Sequence, residues 1–135
     1  MKKFMLFSFT LILLNAMAGN GQAFKKENNN AETGKIEAFY FHLTSRCVTC
    51  KAVEAEAKKN LETLYGEKIT FRSINLEEDV NKVIVEKLQI SGQTLLIVKG
   101  DHKINLTNEG FMYARNNPEK FKTIIKEKVD RLLKL

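Results

Sequence analysis

Cys47 and Cys50 are the two side chains with the most chemistry in this sequence. They are its only cysteines, with Val48 and Thr49 between them. A thiolate attacks disulfide sulfur, and a second thiol three residues on can displace the first from the resulting mixed disulfide. That exchange needs two unlike thiols, one reachable and held as a thiolate, the other covered until its turn. Arg46 and Lys51 put positive charge beside the pair, and His42, five residues upstream, could stand near the thiols as a proton acceptor or a ligand.

The flanking pattern supplies the difference between the thiols. A strand is expected over Lys35 to about His42, and its continuous run Ala38-Phe39-Tyr40-Phe41 suits a strand buried on both faces. A helix is expected from about Thr49 to Tyr65, with Val53, Ala57, Leu61 and Leu64 on one stripe and Gly66 as its stop. Cys50 lies one turn ahead of Val53, so its sulfur should be buried. Cys47 falls at the helix tip, where unpaired N–H groups and the positive end of the dipole favour a thiolate. Cys47 is therefore the expected attacker and Cys50 the expected resolver.

Further along, strands are expected at Ile69 to Leu76, Thr94 to Lys99 and His102 to Leu106, the last two joined by the two-residue turn Gly100-Asp101. A helix at Asp79 to Leu88 carries Val80, Val83, Ile84, Lys87 and Leu88 at helical spacing. The final helix has the clearest start: Asn117 as cap, Pro118 at the first helical position and Glu119 at the positive end. Phe121, Ile124, Ile125, Lys128, Val129 and Leu132 form its core-facing stripe. The order β-α-β-α-β-β-α makes an α/β fold, a central mixed sheet flanked by helices.

Two other uses of the thiols remain open. A purely structural disulfide is compatible with export, but closing a four-residue loop yields only about 2 kcal/mol, against about 3 for a loop of 15. A bridge kept for stability would better join distant segments. Zinc held by the cysteines with His42 and His102 lacks finger spacing, whereas a two-thiolate site for a soft ion such as Cu(I), or for a trivalent metalloid, with Cys47, Cys50 and His42 as ligands, fits the donor chemistry.

Lys2 and Lys3, the apolar run Phe4 to Leu14 and Ala16-Met17-Ala18 read as a cleaved signal peptide over 1–18. The run is shorter than the roughly 20 residues that span a bilayer, so no stable membrane anchor is expected after cleavage. No cysteine near the cleavage site offers a lipid attachment, and a periplasmic or secreted location is expected. Residues 19–34, polar and centred on Asn28-Asn29-Asn30, read as a flexible linker, leaving one domain at 35–135. Cleavage removes two of the 22 basic residues and none of the 16 acidic ones, so the formal charge falls from +6 to +4. The basic residues are scattered among acids, not gathered on a face with stacking aromatics, which excludes a nucleic-acid footprint.

From Lys35 onward the chain resembles the thioredoxin-like superfamily. The segment Ile69 to Glu77 is similar to the second-strand region of thioredoxins, and Ile90 to Gly100 to their third-strand region. Phe41-His42 followed by Arg46-Cys47-Val48-Thr49-Cys50 is similar to small exported thioredoxin-like proteins labelled as nitroreductase-associated, the ArsF-like group. The resemblance implies a thioredoxin-like fold, thiol–disulfide oxidoreductase activity and no cofactor beyond the Cys47–Cys50 disulfide. The implied partners are protein thiols or disulfides in the cell envelope and an upstream redox protein, with the chain itself a monomer. It also places Gln93, Thr94, Val48 and Thr49 against substrate.

Three departures from the family pattern stand out. Gln93 occupies the place of the family's cis-proline, and since a non-proline cis bond costs about 2.5–4 kcal/mol, a trans bond is expected there. Phe41 aligns with the buried acid that many thioredoxins carry on the first strand, which leaves His42 or water to take the Cys50 proton. Val48-Thr49 replaces Gly-Pro and matches no common oxidant motif.

Overall fold

The computed structural model describes residues 34–135. The expected signal peptide, and all of the expected linker except Gly34, lie outside the described residues. Strand β1 (Ile36–His42) is central, paired parallel with β2 (Ile69–Asn75) on one side and antiparallel with β3 (Thr94–Lys99) on the other. Strand β4 (His102–Asn105) closes the hairpin through Gly100, at φ 56°, and Asp101, giving the order β2-β1-β3-β4. Helix α1 (Val48–Tyr65) crosses between β1 and β2, α2 (Lys82–Leu88) between β2 and β3, and α3 (Thr107–Tyr113) and α4 (Pro118–Leu133) follow the hairpin. This connectivity, with a C-x-x-C pair at the start of the first helix, is a thioredoxin-like fold.

Two unequal cores account for the layers. On one face Ile36, Ala38 and Tyr40 of β1 pack with Val53, Ala57 and Leu61 of α1, with Leu106 and Ala114 around α3, and with Phe121, Ile125, Val129 and Leu132 of α4. The other face holds a smaller cluster, Phe39, Phe41, Ile74 and Leu96, with Ile84, Val85 and Leu88 of α2 leaning on it. The α4 start is as expected: Asn117 Oδ1 accepts the Lys120 N–H at 3.1 Å and Pro118 occupies the first turn. Gly66 ends α1 at φ 56°.

The structure corrects one expectation and adds two features. The helix expected from Asp79 opens as a 3-10 turn, Asp79–Asn81, and Val80 and Val83 are 82% and 77% exposed. Only Ile84, Val85 and Leu88 lean on the sheet, because Val80 precedes the seven-residue helix and Val83 falls on its outer face. The first addition is helix α3. Its buried positions Leu106, Gly110 and Ala114 recur every four residues, but a glycine and an alanine give almost no hydropathy signal. The second is the division of β1 between the two faces. Side chains alternate along a strand, so Phe41 stacks with Phe39 (ring centroids 5.9 Å apart) on the α2 side, and Tyr40 takes the α1 side.

Candidate active site at the C-x-x-C pair

The central strand β1 ends at His42, and a four-residue loop carries the chain to Cys47. That loop is anchored at its base. Leu76 N–H donates to the His42 carbonyl at 2.8 Å, Asn75 Nδ2 donates to Thr44 Oγ1 at 2.9 Å, and the Thr44 N–H donates to Glu77 Oε2 at 2.6 Å. The hydrogen bonds from Thr44 hold the Glu77 carboxyl below its ordinary pKa. The end of β2 thus fixes where the cysteines start.

Cys47 is the N-cap of α1 and is joined to Cys50 by a disulfide, the Cα atoms 5.0 Å apart. Its Sγ accepts the Cys50 backbone N–H at 3.0 Å, so one of the helix's free donors is aimed at the sulfur that must carry charge when the bond opens. Cys47 is exposed, whereas Cys50 is 3% exposed. No acidic residue lies in the first turn of α1. The expected difference between the thiols is therefore present: a reachable sulfur at a positive helix end and a covered one on the core-facing stripe.

The surrounding residues divide. The Arg46 guanidinium does not stand free beside the thiols: it is paired with Glu54, one turn past Cys50, and lies 5.7 Å from the Tyr40 ring centroid. Val48 is 69% exposed and Thr49 half-buried. His42 stacks on Tyr40, centroids 6.1 Å apart, and its Nδ1 is 2.8 Å from the Leu43 carbonyl oxygen, which makes Nδ1 the protonated nitrogen and leaves Nε2 as the acceptor. Among the described residues no three of His, Cys, Asp or Glu gather as a ligand set, so His42 does not join the two sulfurs in this oxidised form. Gln93 and Thr94 reach the same end of the sheet, since Thr94 pairs with Phe41 one residue before β1 ends. Thr94 Oγ1 donates to the Gly92 carbonyl at 2.9 Å, and no peptide bond among the described residues is cis.

Two residues join the site that the sequence did not single out. Tyr40 is fully buried with a hydroxyl lacking a hydrogen-bond partner among the described residues; burial pushes its pKa up, and Arg46 pulls it partly back. Arg115, in the turn after α3, places Nη1 3.4 Å from Thr49 Oγ1, between the cysteines in sequence. Nothing in the sequence could have linked two residues 66 positions apart without the unforeseen α3. A groove of about 510 Å³ lies elsewhere, at the opposite end of β1, between α2 and the hairpin.

No family model and no curated protein matches the chain. Among solved structures it is similar to one described as the structure of a malarial protein, at 23% identity and TM-score 0.40 over 51% of this chain and 74% of that one. It is also similar to the crystal structure of Trxlp from Edwardsiella tarda, at 15% identity and TM-score 0.48 over 68% of this chain and 82% of that one. Both alignments are partial, and the fold rests on strand order and connectivity.

Proposed function

We propose that this chain is an exported thiol–disulfide oxidoreductase that exchanges electrons with protein thiols and disulfides of the cell envelope. The observation that carries this reading is the unequal exposure of one bonded pair, Cys47 open at the N-cap and Cys50 buried behind it. In the reduced chain the Cys47 thiolate attacks a substrate disulfide RS–SR, forming the Cys47–S–SR bond as RS⁻ leaves. The Cys50 thiol gives up its proton, attacks Cys47 Sγ and expels the second RS⁻, which restores the Cys47–Cys50 disulfide. The substrate gains two electrons and the chain loses them; a dithiol protein upstream returns them. Run backwards, the same steps oxidise a substrate dithiol. The disulfide itself is the electron carrier.

Water or His42 Nε2 takes the Cys50 proton, and Gln93 with Thr94 lines the loop against which substrate lies. The signal-peptide-like pattern of Lys2, Lys3, the apolar run Phe4 to Leu14 and Ala16-Met17-Ala18 supports periplasmic or secreted placement, and the loop sequence around Arg46 to Cys50 supports a place among the nitroreductase-associated relatives.

The test is a trap. Cys50→Ser should accumulate a covalent adduct through Cys47 with envelope proteins or a model disulfide, and Cys47→Ser should accumulate none. Absence of adducts from Cys50→Ser, together with tight stoichiometric binding of Cu(I) or arsenite by the reduced wild type, would replace this reading with a soft-metal carrier. Full function with both cysteines replaced would make the chain an adaptor.

A further inference from the structure

The thiol pair has a charged neighbour that comes from outside its own helix. Arg115 is exposed in the turn after α3, and its guanidinium reaches Thr49 at 3.4 Å, within the same helical turn as both cysteines. The nearer candidate for positive charge, Arg46, is already paired with Glu54 and turned over Tyr40. Among the described residues Arg115 has no carboxylate partner, and α1 carries no acid in its first turn. The guanidinium contact with a neutral hydroxyl leaves most of its five donors open. The backbone that carries it is seated on α1, because Gly110 lets α3 lie directly on Val53.

We infer that Arg115 receives an anionic group carried by the substrate next to its reacting sulfur, so that the site selects disulfides flanked by carboxylate. This rests on the thiol-exchange reading above. A guanidinium binds carboxylate in a forked, charge-assisted pair, which orients the substrate as well as attracting it. A carboxylate a few bonds from the sulfur under attack by Cys47 would fall within reach, because Thr49, which Arg115 touches, and Cys47 lie on the same turn of a helix about 10 Å across. Arg115 here is a specificity residue, and it takes no part in moving electrons.

The experiment compares three small disulfides of different charge against the fully reduced protein, reading the rate at which the Cys47–Cys50 disulfide returns: dithiodipropionate (anionic), hydroxyethyl disulfide (neutral) and cystamine (cationic). The wild type should favour the anion. Arg115→Ala should shrink the anion-to-cation rate ratio by about tenfold, the size expected when one charge is removed a few ångströms from another in water. Arg115→Lys should keep most of the preference, Arg115→Glu should reverse it, and the neutral disulfide should react at the same rate throughout. Lys134→Ala, a single charge lost at the far end of α4, sets the scale of a non-specific effect. A ratio that falls no further in Arg115→Ala than in Lys134→Ala overturns the assignment of Arg115 while leaving thiol exchange in place. Failure of the wild type to react with any of the three overturns thiol exchange itself.

Discussion

Gly110 of α3 and Val53 of α1 meet so closely that a Cβ on the glycine would lie 2.8 Å from Val53 Cγ1. Val53 is fully buried one turn behind Cys50, so this contact seats α3 against the helix that carries the disulfide. Gly110→Ala should destabilise the fold by about 1–3 kcal/mol, the usual cost of overpacking a core. For a domain near 100 residues each kcal/mol is worth about 4–8 °C in Tm. Combined with Val53→Ala, the loss should be less than the sum of the two single losses, because the valine methyl is what the new group strikes. Thermal unfolding of the four proteins in the cycle checks this; full additivity would mean that the helices do not meet here.

Tyr40 offers a substitution with the opposite sign. Its hydroxyl is buried without a partner among the described residues, and a buried polar group left unpaired costs about 1–3 kcal/mol. Tyr40→Phe removes the group and keeps the ring, so stability in urea should hold or rise by about 1 kcal/mol. A loss larger than that would show that the hydroxyl is hydrogen-bonded.

The Arg46–Glu54 pair should set the reactivity of Cys47 indirectly. Both side chains are about four-fifths covered, at 19% and 20% exposure, so solvent screens them less than a surface pair. Glu54→Gln leaves the guanidinium unneutralised near the N-cap and should make the reduced Cys47 alkylate faster at neutral pH than in the wild type. Arg46→Gln should slow it. The pH dependence of alkylation by iodoacetamide measures both, and equal values in the two variants would remove the pair from the electrostatics of the site.

Acid should loosen the loop before the cysteines. The Glu77 carboxyl is held below its ordinary value of 4.5 by hydrogen bonds from Thr44. A carboxyl with a depressed folded pKa adds stability that is present above pH 4.5 and is lost as pH falls through the folded value. Wild-type stability should therefore drop more between pH 6 and pH 3 than that of Glu77→Gln, which has already lost the charge. Urea unfolding at the two pH values reads the difference, and parallel losses in the two proteins would contradict it.

How much of this could be read in advance depended on whether apolar side chains marked the faces. The strand into Cys47 and the stripe Val53, Ala57, Leu61 were plain, and they sufficed to separate an exposed Cys47 from a buried Cys50. The run Ala38 to Phe41 is too uniformly apolar to say that Tyr40 faces α1 and Phe41 faces α2. Val80 and Val83 had helical spacing yet point to solvent, since pattern cannot tell how far a helix overhangs its sheet. Asn60, buried on the α1 stripe, and Gly110 were invisible for the reverse reason, being core positions without apolar side chains. Arg115 followed from α3 and could not be found without it.

The uneven cover of the two sheet faces bears on how the molecule breathes. α2 has no buried residue, whereas α1 has five, Cys50 among them. Local opening begins where few apolar contacts must be broken. Amide hydrogens of α2 should exchange with solvent long before those of α1, and a protease should nick near Val80 and Val83 first. Such fraying takes place on the far side of the sheet from α1, so the chain can flicker open there while the disulfide-bearing turn stays in register.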